Sequence, residues 1–401
     1  MKQLTFICQP FFPDQSSTSQ LFSPLVSDLS NSGWGIQVFC GFPGTKEKGR
    51  VPRCEVWQGI RIRRCGLRIP VKQSYLHRAV SYFVFLLEVS VRLLFVRQPS
   101  IWLGVTNPPF TAHLLAIISL IRRHHFNYFF LDIYPEGLIG RGLLRESSFV
   151  VFLWTLINGW AYRRAAKIFV LGRDMIPLLT QRYWLPVEKI TYFPHWSAVE
   201  CDAALPFEQS KFVQEWELKG KFVVQYSGNM GIWNDMESLV TVAHTLRADT
   251  EISFVFIGGG IGYEGARVLA KNLELENIQW KNFVPFEDLK HSLAACHVSL
   301  VSLSAGLEGV AVPCKLYGIL ASGRAVVAQV PEKSEVAMCV QENKCGVVTP
   351  PGNVDHLKNM LLYLKGNTKI TKGMGENAFS AYQEQYTLHT AFVRMKDLLR
   401  S

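Results

Sequence analysis

The sequence predicts an α/β protein built from two doubly wound, Rossmann-like parallel sheets with helices on their faces. Short β-rich runs alternate with helical stretches along the chain. The alternation stops in an aperiodic stretch at 193–206, which contains two prolines, and then starts again. The 401 residues are enough for two cores of ordinary domain size.

Composition narrows the class of protein. With 48% hydrophobic and 18% charged residues, the chain is globular and has a large core. The net charge of +10 favours anionic partners such as nucleic acid, acidic lipid or sugar diphosphates. Lysine and arginine are dispersed and form no recognised nucleic-acid motif, so we expect no nucleic acid partner. Nine cysteines without a CxxC pair predict reduced thiols in the cytoplasm and no metal site.

The first half opens with a βαβ pattern, in which strands at 4–8 and 36–40 flank a helix at 21–29. The N-terminal residues have the pattern of a first strand and not of a signal peptide. The loop after that strand carries hydroxyls at 16–18. These hydroxyls could hydrogen-bond a sugar or a phosphate, or they could cap the following helix.

Further strands are predicted at 100–105, 128–131, 168–171 and 190–193. Ligands of doubly wound sheets bind beyond the carboxyl ends of the strands. Asp132 and Glu136 follow one such end, which makes them candidate functional carboxylates. The alternative is a helix-capping aspartate and a solvated glutamate.

Two apolar stretches raise the question of a membrane. Residues 79–96 are the most hydrophobic window, but Glu88 and Arg92 lie inside it, so a spanning helix is not expected. Residues 149–160 are also apolar and are followed by basic residues at 163, 164 and 167. Both stretches suit helices that lie on an anionic bilayer, and both equally suit helices packed on a sheet.

The second half begins with a strand at 222–226 and the turn 227–231, and the first strand-to-helix turn of a Rossmann-like half is the usual phosphate cradle. The next strand, 252–257, ends in three glycines, and residues 260–265 satisfy GxGxxG. A dinucleotide fingerprint belongs to the first strand and needs an acid after the following strand, where this chain has Asn282 and Phe283. The GxGxxG match is therefore only weak evidence for a dinucleotide-binding site.

The stretch 307–327, LEGVAVPCKLYGILASGRAVV, has the pattern of a loop, a helix and a strand. Pro313 near the start and Gly323 past the end delimit the helix. Its N-terminus suits an anion, and Lys315 adds a full positive charge. The alternative is an ordinary crossover helix with a surface lysine.

The pattern EG…VPxKLYxxLAxGrxVv in this stretch resembles the nucleotide-sugar-binding motif of retaining, GT-B-fold glycosyltransferases. More narrowly, it is similar to the family-4 bacterial transferases of exopolysaccharide and O-antigen synthesis. The resemblance covers most of the chain and is strongest at 222–330. It implies a GT-B architecture with a cleft between two Rossmann-like domains. The implied parts are an acceptor-side domain at 1–195, a linker at 196–218, a nucleotide-sugar domain at 219–375, and a C-terminal helix at 376–401 that returns to the first domain.

The resemblance implies that a hexosyl group moves from a nucleoside diphosphate sugar to a glycan or polyprenyl-linked acceptor, with retention of configuration and without cofactor or metal. The setting would be cell-surface polysaccharide synthesis. The aromatic and basic content of the regions 79–96 and 149–167 further predicts a cytoplasmic protein bound peripherally to the inner face of the membrane. A leaving phosphate oxygen would take the acceptor's proton, while Lys315 stabilises the departing diphosphate.

The resemblance also assigns roles to residues. Glu308 and Asp132 are the catalytic candidates, and Gly318 stands where many family members have a second, ribose-binding glutamate. The acceptor-side candidates are Ser16, Ser17, Thr18 and Glu136. The donor-binding candidates are Ser227, Gly228, Asn229, Gly231, Gly258, Gly259, Phe283, Val284, Val312, Pro313, Lys315 and Leu316.

Two other functions stay open at this point. One is a GT-B-fold sugar-nucleotide epimerase, which would need paired acid and base residues at the sugar. The other is a non-catalytic basic protein that binds membrane or nucleic acid.

Overall fold

A computed structural model describes residues 2–44, 51–68, 75–96 and 100–400. The chain divides into two compact units. Unit 1 contains Met1–Pro194, Gly309–Ala311 and Leu388–Ser401, and unit 2 contains His195–Glu308 and Val312–Thr387. Each unit is built around one sheet, so the two sheets predicted from the sequence are present.

The sheet of unit 1 has eight strands in the order β3-β4-β2-β1-β5-β6-β7-β8. Every neighbouring pair is parallel except β3 and β4, which are antiparallel. The strands are β1 Gln3–Ile7, β2 Gly35–Cys40, β3 Cys54–Trp57, β4 Ile60–Arg64, β5 Ile101–Val105, β6 Phe126–Phe130, β7 Lys167–Val170 and β8 Ile190–Tyr192.

Helices cover this sheet. They are α1 Ser17–Asn31, α2 Tyr75–Leu94, α3 Thr111–Arg122, α4 Glu136–Gly140, α5 Phe149–Arg164 and α6 Met175–Tyr183, with a 3-10 turn at Val187–Lys189. Aromatic rings fill the space between helix and sheet. Phe22 of α1 stacks on Phe6 at 5.5 Å between ring centroids and meets Phe129 edge-on at 5.3 Å. Strands β1, β5, β6 and β7 are largely buried on both faces, which explains their continuous apolar runs.

The β3–β4 hairpin is absent from the sequence prediction. Its turn places Gln58 and Gly59 at φ values of 48° and 77°, the left-handed geometry of a tight hairpin turn. Arg64 at the end of β4 is fully buried. Its guanidinium donates to the carbonyls of Pro52 and Phe12 and pairs with Glu55 at 2.5 Å. The charge is therefore satisfied inside the unit, as burial of an arginine requires.

The sheet of unit 2 has six parallel strands in the order β11-β10-β9-β12-β13-β14. The strands are β9 Phe222–Asn229, β10 Ile252–Gly259, β11 Ile278–Lys281, β12 Val298–Ser302, β13 Ala325–Gln329 and β14 Gly346–Thr349. Alternate residues of β9 and β10 face two separate apolar clusters, one on each side of the sheet. Both strands run two or three residues further than predicted, into the glycines at their ends.

The helices of unit 2 are α7 Lys211–Glu215, α8 Met236–Thr245, α9 Ile261–Asn272, α10 Leu289–Ala294, α11 Lys315–Ala321, α12 Glu335–Glu342, α13 Val354–Gly366 and α14 Thr368–Gln385. Single 3-10 turns lie at Phe207–Gln209 and Phe286–Asp288. The stretch 196–218 is part of unit 2, where the Ser197 and Cys201 amides donate to Tyr386 and Tyr382.

The last helix, α15, spans Leu388–Leu398 and belongs to unit 1. The C-terminal helix predicted at 376–401 is therefore two helices, the end of α14 and α15, with a break at 386–387. In the described part of the chain, no helix combines the length and apolarity needed to cross a bilayer.

Candidate functional site

The carboxyl ends of β9 and β10 lie side by side and form a floor of bare backbone in unit 2. Gly228 pairs with Gly258, and Asn229 pairs with Gly259. Gly258 has φ +133°, and a Cβ there would collide with the carbonyl oxygen of Gly228. Only glycine allows this approach of the two strands, because the neighbouring atom is rigid backbone.

Lys315 lies directly over this floor. A Cβ on Gly228 would be 3.6 Å from Lys315 Cε and 3.9 Å from its Nζ. Lys315 is the first residue of α11, which follows β12 along the chain. Strands β9 and β12 are neighbours, and the connections leave them toward opposite edges of the sheet. Lys315 thus lies at the topological switch point, where doubly wound sheets bind ligands.

The ammonium of Lys315 is held by a buried tyrosine. It donates to the Tyr226 hydroxyl and to the Asn229 carbonyl at 3.4 Å, and the Tyr226 hydroxyl donates to the same carbonyl at 3.0 Å. Burial lowers the pKa of Lys315 to about 7, against a smaller opposite effect of the Cys314 thiol. Burial raises the pKa of Tyr226, so its hydroxyl keeps its proton. An anion at this point would stabilise the charged form of Lys315.

The turn after β9 is tied to the turn after β10. The Met230 amide donates to Gly259 O at 2.7 Å, and the Gly262 amide donates to Met230 O at 2.8 Å. Asn234 accepts from the Gly231 amide at 2.9 Å. These bonds give the predicted phosphate cradle a defined backbone shape. The side chains of Ser227 and Asn229 are half-buried and exposed, respectively.

The glycine turn 260–265 has a packing role. Gly260 has φ +125°, and a Cβ there would collide with Asn229 Oδ1 and lie 2.6 Å from Met230 O. The turn follows β10, which is the second strand of unit 2, and β11 ends at Lys281 without an acid. The structure therefore agrees with the sequence argument against a dinucleotide fingerprint.

Phe283 flanks the floor. The residue is 63% exposed, and its ring would lie 3.3 Å and 3.5 Å from a Cβ added to Gly258 and Gly259. Val284 beside it packs against an apolar cluster, which fixes the loop. An exposed ring beside this open backbone floor suits an aromatic base.

The other residues of the motif differ in accessibility. Glu308 is exposed, Pro313 is half-buried, and Val312 is buried. Leu316 is fully buried, so only its backbone could contact a donor. Helix α11 has seven residues, so the positive charge at its start comes mainly from the Lys315 ammonium. A Cβ on Gly318 would lie 3.4 Å from Leu293 Cδ1, so this position faces an apolar neighbour.

In unit 1, the predicted hydroxyls lie beyond the carboxyl end of β1. Ser16 is the N-cap residue of α1, but its hydroxyl makes no capping hydrogen bond. Its amide donates instead to Asp14 Oδ1 at 2.8 Å. Ser17 is exposed and Thr18 is half-buried. The capping alternative is therefore wrong for the Ser16 hydroxyl.

Asp132 follows β6 and forms an isolated antiparallel bridge with Ala311. The next amide, of Ile133, donates to Val310 O at 2.9 Å. Burial raises the pKa of Asp132 to about 6. A carboxyl with this pKa can exchange a proton near neutral pH.

The alternative that Glu136 is a solvated carboxylate is wrong. Glu136 is only 6% exposed. Its Oε1 accepts from the Tyr183 hydroxyl at 2.5 Å and pairs with Arg182 at 2.7 Å. Burial raises its pKa, and these two partners oppose the shift. The carboxylate is part of an internal network of unit 1.

Tyr226 is the site residue that the sequence argument missed. It sits in a strand among apolar residues and has the pattern of a core position. A hydroxyl one residue before the Ser-Gly turn was the available signal, because buried tyrosines need a partner at the strand end.

Comparison with known proteins adds to this geometry. Residues 208–381, which lie within the span of unit 2 apart from 309–311, match the family Glycosyl transferases group 1. The probable glycosyltransferase WbjE of Pseudomonas aeruginosa is 27% identical over 274 residues, which cover 68% of this chain and 66% of WbjE. The putative colanic acid biosynthesis glycosyl transferase WcaI of Escherichia coli is 23% identical over 316 residues, covering 76% of this chain and 77% of WcaI.

Solved structures share the fold. Sucrose-phosphate synthase from Thermosynechococcus elongatus superposes with a TM-score of 0.77 at 13% identity, over 100% of this chain and 98% of that one. Anabaena HepE in complex with UDP-glucose gives a TM-score of 0.71 at 16% identity over 100% of both chains. The chain therefore has a GT-B-like fold with two Rossmann-like sheets, and its residues 208–381 are similar to the family Glycosyl transferases group 1.

Proposed function

We propose that this protein transfers a sugar, of the hexosyl type, from a nucleoside diphosphate sugar bound at the carboxyl ends of β9 and β10. One observation carries the proposal. Lys315 is held by Tyr226 over the bare backbone of Gly228, at the switch point of the unit 2 sheet. That arrangement offers an ammonium and an open backbone surface to a diphosphate, with no side chain between them.

The parts of a donor match the parts of the site. The diphosphate would lie against Lys315 and the turn after β9, and the base would lie against the exposed ring of Phe283. HepE, whose crystal structure contains UDP-glucose, has the same fold. A uridine or other nucleoside diphosphate is therefore the class of leaving group that the site supports best.

The catalytic step follows from charge. As the bond from the sugar to the diphosphate breaks, negative charge grows on the diphosphate, and Lys315 stabilises it more than it stabilises the intact donor. We propose that Glu308 orients the sugar hydroxyls and that Asp132 is the second catalytic carboxylate. We further propose that an oxygen of the leaving phosphate accepts the acceptor's proton. The acceptor oxygen then bonds to the anomeric carbon on the face that the diphosphate leaves, so this route retains the anomeric configuration, and it uses no metal or cofactor.

We propose a lipid-linked glycan acceptor and a place in cell-surface polysaccharide synthesis. The similarity to WcaI, a putative colanic acid biosynthesis glycosyl transferase, and to WbjE, a probable glycosyltransferase, supports this direction. A lipid-linked acceptor resides in a bilayer. The protein should therefore carry a surface that binds the cytoplasmic side of that bilayer.

The test is nucleotide release from a panel of UDP-, GDP- and dTDP-sugars, with and without a polyprenyl-linked glycan. We expect one donor to release its nucleoside diphosphate, faster in the presence of acceptor. Product configuration determined by NMR then tests retention. Interconversion of the donor's sugar without release of nucleotide would identify an epimerase and contradict the proposal.

A further inference from the structure

The outer face of α2 is apolar although it faces solvent. Val80, Phe83, Leu87 and Val91 recur at helical spacing along it, over about 16 Å of helix. Phe83 is 67% exposed. The opposite side of the helix, with Phe85, is buried against the unit. Helix α2 therefore has a second apolar side that its own unit does not cover.

Two neighbouring helices extend this surface. Helix α3 packs against both α2 and α5, and Phe110 before α3 stacks on Trp154 of α5 at 5.4 Å between ring centroids. We call the exposed apolar residues of the three helices the apolar face. They are Val80, Phe83, Leu87, Val91, Ile117, Leu120, Ile121, Phe149, Val150, Phe152, Leu153, Leu156 and Ile157. Exposed apolar patches of this extent mark interaction surfaces.

The positive charge of the protein is concentrated in the unit that carries the apolar face. The sequence of unit 1 contains 26 Lys and Arg and 11 Asp and Glu, a net charge of +15. Unit 2 contains the remaining 16 Lys and Arg and 21 Asp and Glu, a net charge of −5. The net charge of +10 is therefore the sum of a strongly positive unit 1 and a negative unit 2.

Arginines lie at the C-terminal ends of these helices. Arg122 and Arg123 end α3, and Arg163 and Arg164 end α5. Arg122 donates to Val96 O at 2.7 Å, which joins the end of α3 to the end of α2 and to the exposed Phe95. The basic groups and the apolar face therefore border each other.

A basic pocket opens beside these helix ends, at the amino edge of the sheet. Its volume is about 330 Å³. His124 in its wall is fixed by stacking on buried Trp102 at 4.3 Å, and Lys167 donates to Leu398 O at 3.1 Å. Four of the lining residues are basic and none is acidic; the lining is Ser100, Ile101, Arg123, His124, His125, Asn127, Lys167, Leu398 and Leu399.

We propose that the apolar face binds an anionic lipid bilayer and that the basic pocket takes the phosphate of an acidic lipid headgroup. The apolar side chains enter the boundary between headgroups and acyl chains, while the arginines stay at the level of the phosphates. This surface lies within unit 1 and does not depend on the donor site of unit 2.

Charge favours a bilayer over a second copy of the chain. A two-fold dimer would press the apolar face and its arginines against themselves. Glu88 is the only acid in the sequences of α2, α3 and α5, and it is already occupied by Arg92 at 2.6 Å and Arg53 at 3.1 Å. No carboxylate of these helices is left to neutralise the arginines of a partner copy.

The test is sedimentation of the full chain with vesicles of phosphatidylcholine, with or without phosphatidylglycerol. We expect binding only to the phosphatidylglycerol vesicles, and release in high salt. Phe83→Asn should weaken binding about tenfold, and Arg123→Asn about fivefold. Matched exposed controls in unit 2, Val268→Asn and Arg247→Asn, should change nothing. Wild-type nucleotide affinity of each variant shows that the fold and the donor site are intact.

Three results would overturn the inference while leaving the donor site untouched. The first is no binding of the wild type to phosphatidylglycerol vesicles. The second is a pair of observations: glycerol phosphate binds the free protein through Arg123, and Phe83→Asn leaves vesicle binding unchanged. Together they would make the pocket a site for soluble phosphate. The third is a stable dimer in analytical ultracentrifugation that Phe83→Asn dissociates.

Discussion

The Nζ atom of Lys315 lies 3.6 Å from the centroid of the Tyr226 ring and also contacts the Tyr226 hydroxyl. Tyr226 is buried in β9, and Lys315 begins α11 after the neighbouring β12. The pairing of two adjacent strands therefore sets the position of the ammonium. Its aromatic support stabilises the cation, while burial destabilises it. The result is a lysine that gains charge most readily when an anion arrives.

The first prediction concerns pH. Because burial lowers the pKa of Lys315 to about 7, the free protein loses this charge as pH rises through that value. Affinity for a nucleoside diphosphate should therefore fall above pH 7, approaching about tenfold per pH unit until the pKa of the complex is reached. Calorimetry in buffers of different ionisation enthalpy should detect proton uptake on binding. Lys315→Arg should flatten the profile, because arginine stays charged. A flat wild-type profile would contradict the assignment.

The second prediction concerns the backbone floor. Gly258→Ala places a methyl group against Gly228 O at φ +133°, so we expect destabilisation of about 1 to 3 kcal/mol and weaker nucleotide binding. Gly265→Ala is the matched control, because it lies in α9 with no atom near its Cβ position. It should stabilise the protein by about 0.5 to 1 kcal/mol. Chemical denaturation checks both variants, and equal stabilities would refute the close approach of the strands.

The third prediction concerns Asp132. Its pKa is raised from 3.8 to about 6 by burial, so the folded state binds more protons than the unfolded state between these values. This residue therefore lowers the free energy of unfolding as pH rises from about 4 to about 6. Asp132→Asn should raise stability at pH 7 by about 1 to 3 kcal/mol and lose this advantage near pH 4.

Urea unfolding across this pH range measures the effect of Asp132→Asn. The exposed Asp202→Asn serves as a control and should show no such crossover. If Asp132→Asn were less stable than the wild type at pH 7, the carboxylate would stabilise the fold as part of an ion pair. It would then not be a functional carboxyl whose burial lowers the stability.

The fourth prediction concerns Glu308, which is exposed on the loop before Val312. If it orients the donor sugar, Glu308→Gln should reduce turnover far more than nucleotide affinity, because hydroxyl contacts gain strength as the sugar becomes cationic. Steady-state kinetics and nucleotide titration separate the two quantities. A variant that loses nucleotide affinity but keeps its turnover number would make Glu308 a ribose ligand. Gly318→Glu should not restore ribose binding, since its Cβ faces Leu293.

Much of the fold could be predicted because parallel strands buried on both faces leave continuous apolar runs. The run 252–257 is an example, and only its end was uncertain. The β3–β4 hairpin escaped prediction because arginines alternate along β4 and resemble a polar loop. What makes Arg64 compatible with the core is its bonding to Pro52, Phe12 and Glu55, which no local pattern contains.

The candidate site was partly predictable for the same reason. Gly228 and Gly258 were predicted as donor-binding residues because they follow predicted strands, and Lys315 because it lies in the motif at 307–327. The contact between Lys315 and Tyr226 depends on the order of strands in the sheet, which is non-local information. The burial of Glu136 likewise depends on side chains of α6 that are distant in sequence. Sequence spacing therefore predicted which residues lie at the strand ends, but it did not predict their contacts or their burial.

The most direct test of the donor site is the affinity difference between a nucleoside diphosphate and its monophosphate, measured by calorimetry in the wild type and in Lys315→Ala. For whichever of UDP, GDP or dTDP binds, the wild type should prefer the diphosphate by tenfold or more, since a charge-assisted contact contributes about 1.5 to 3 kcal/mol. Lys315→Ala should remove most of that preference, while the matched Lys271→Ala keeps it. An unchanged preference in folded Lys315→Ala would show that Lys315 does not contact the diphosphate and would contradict the account.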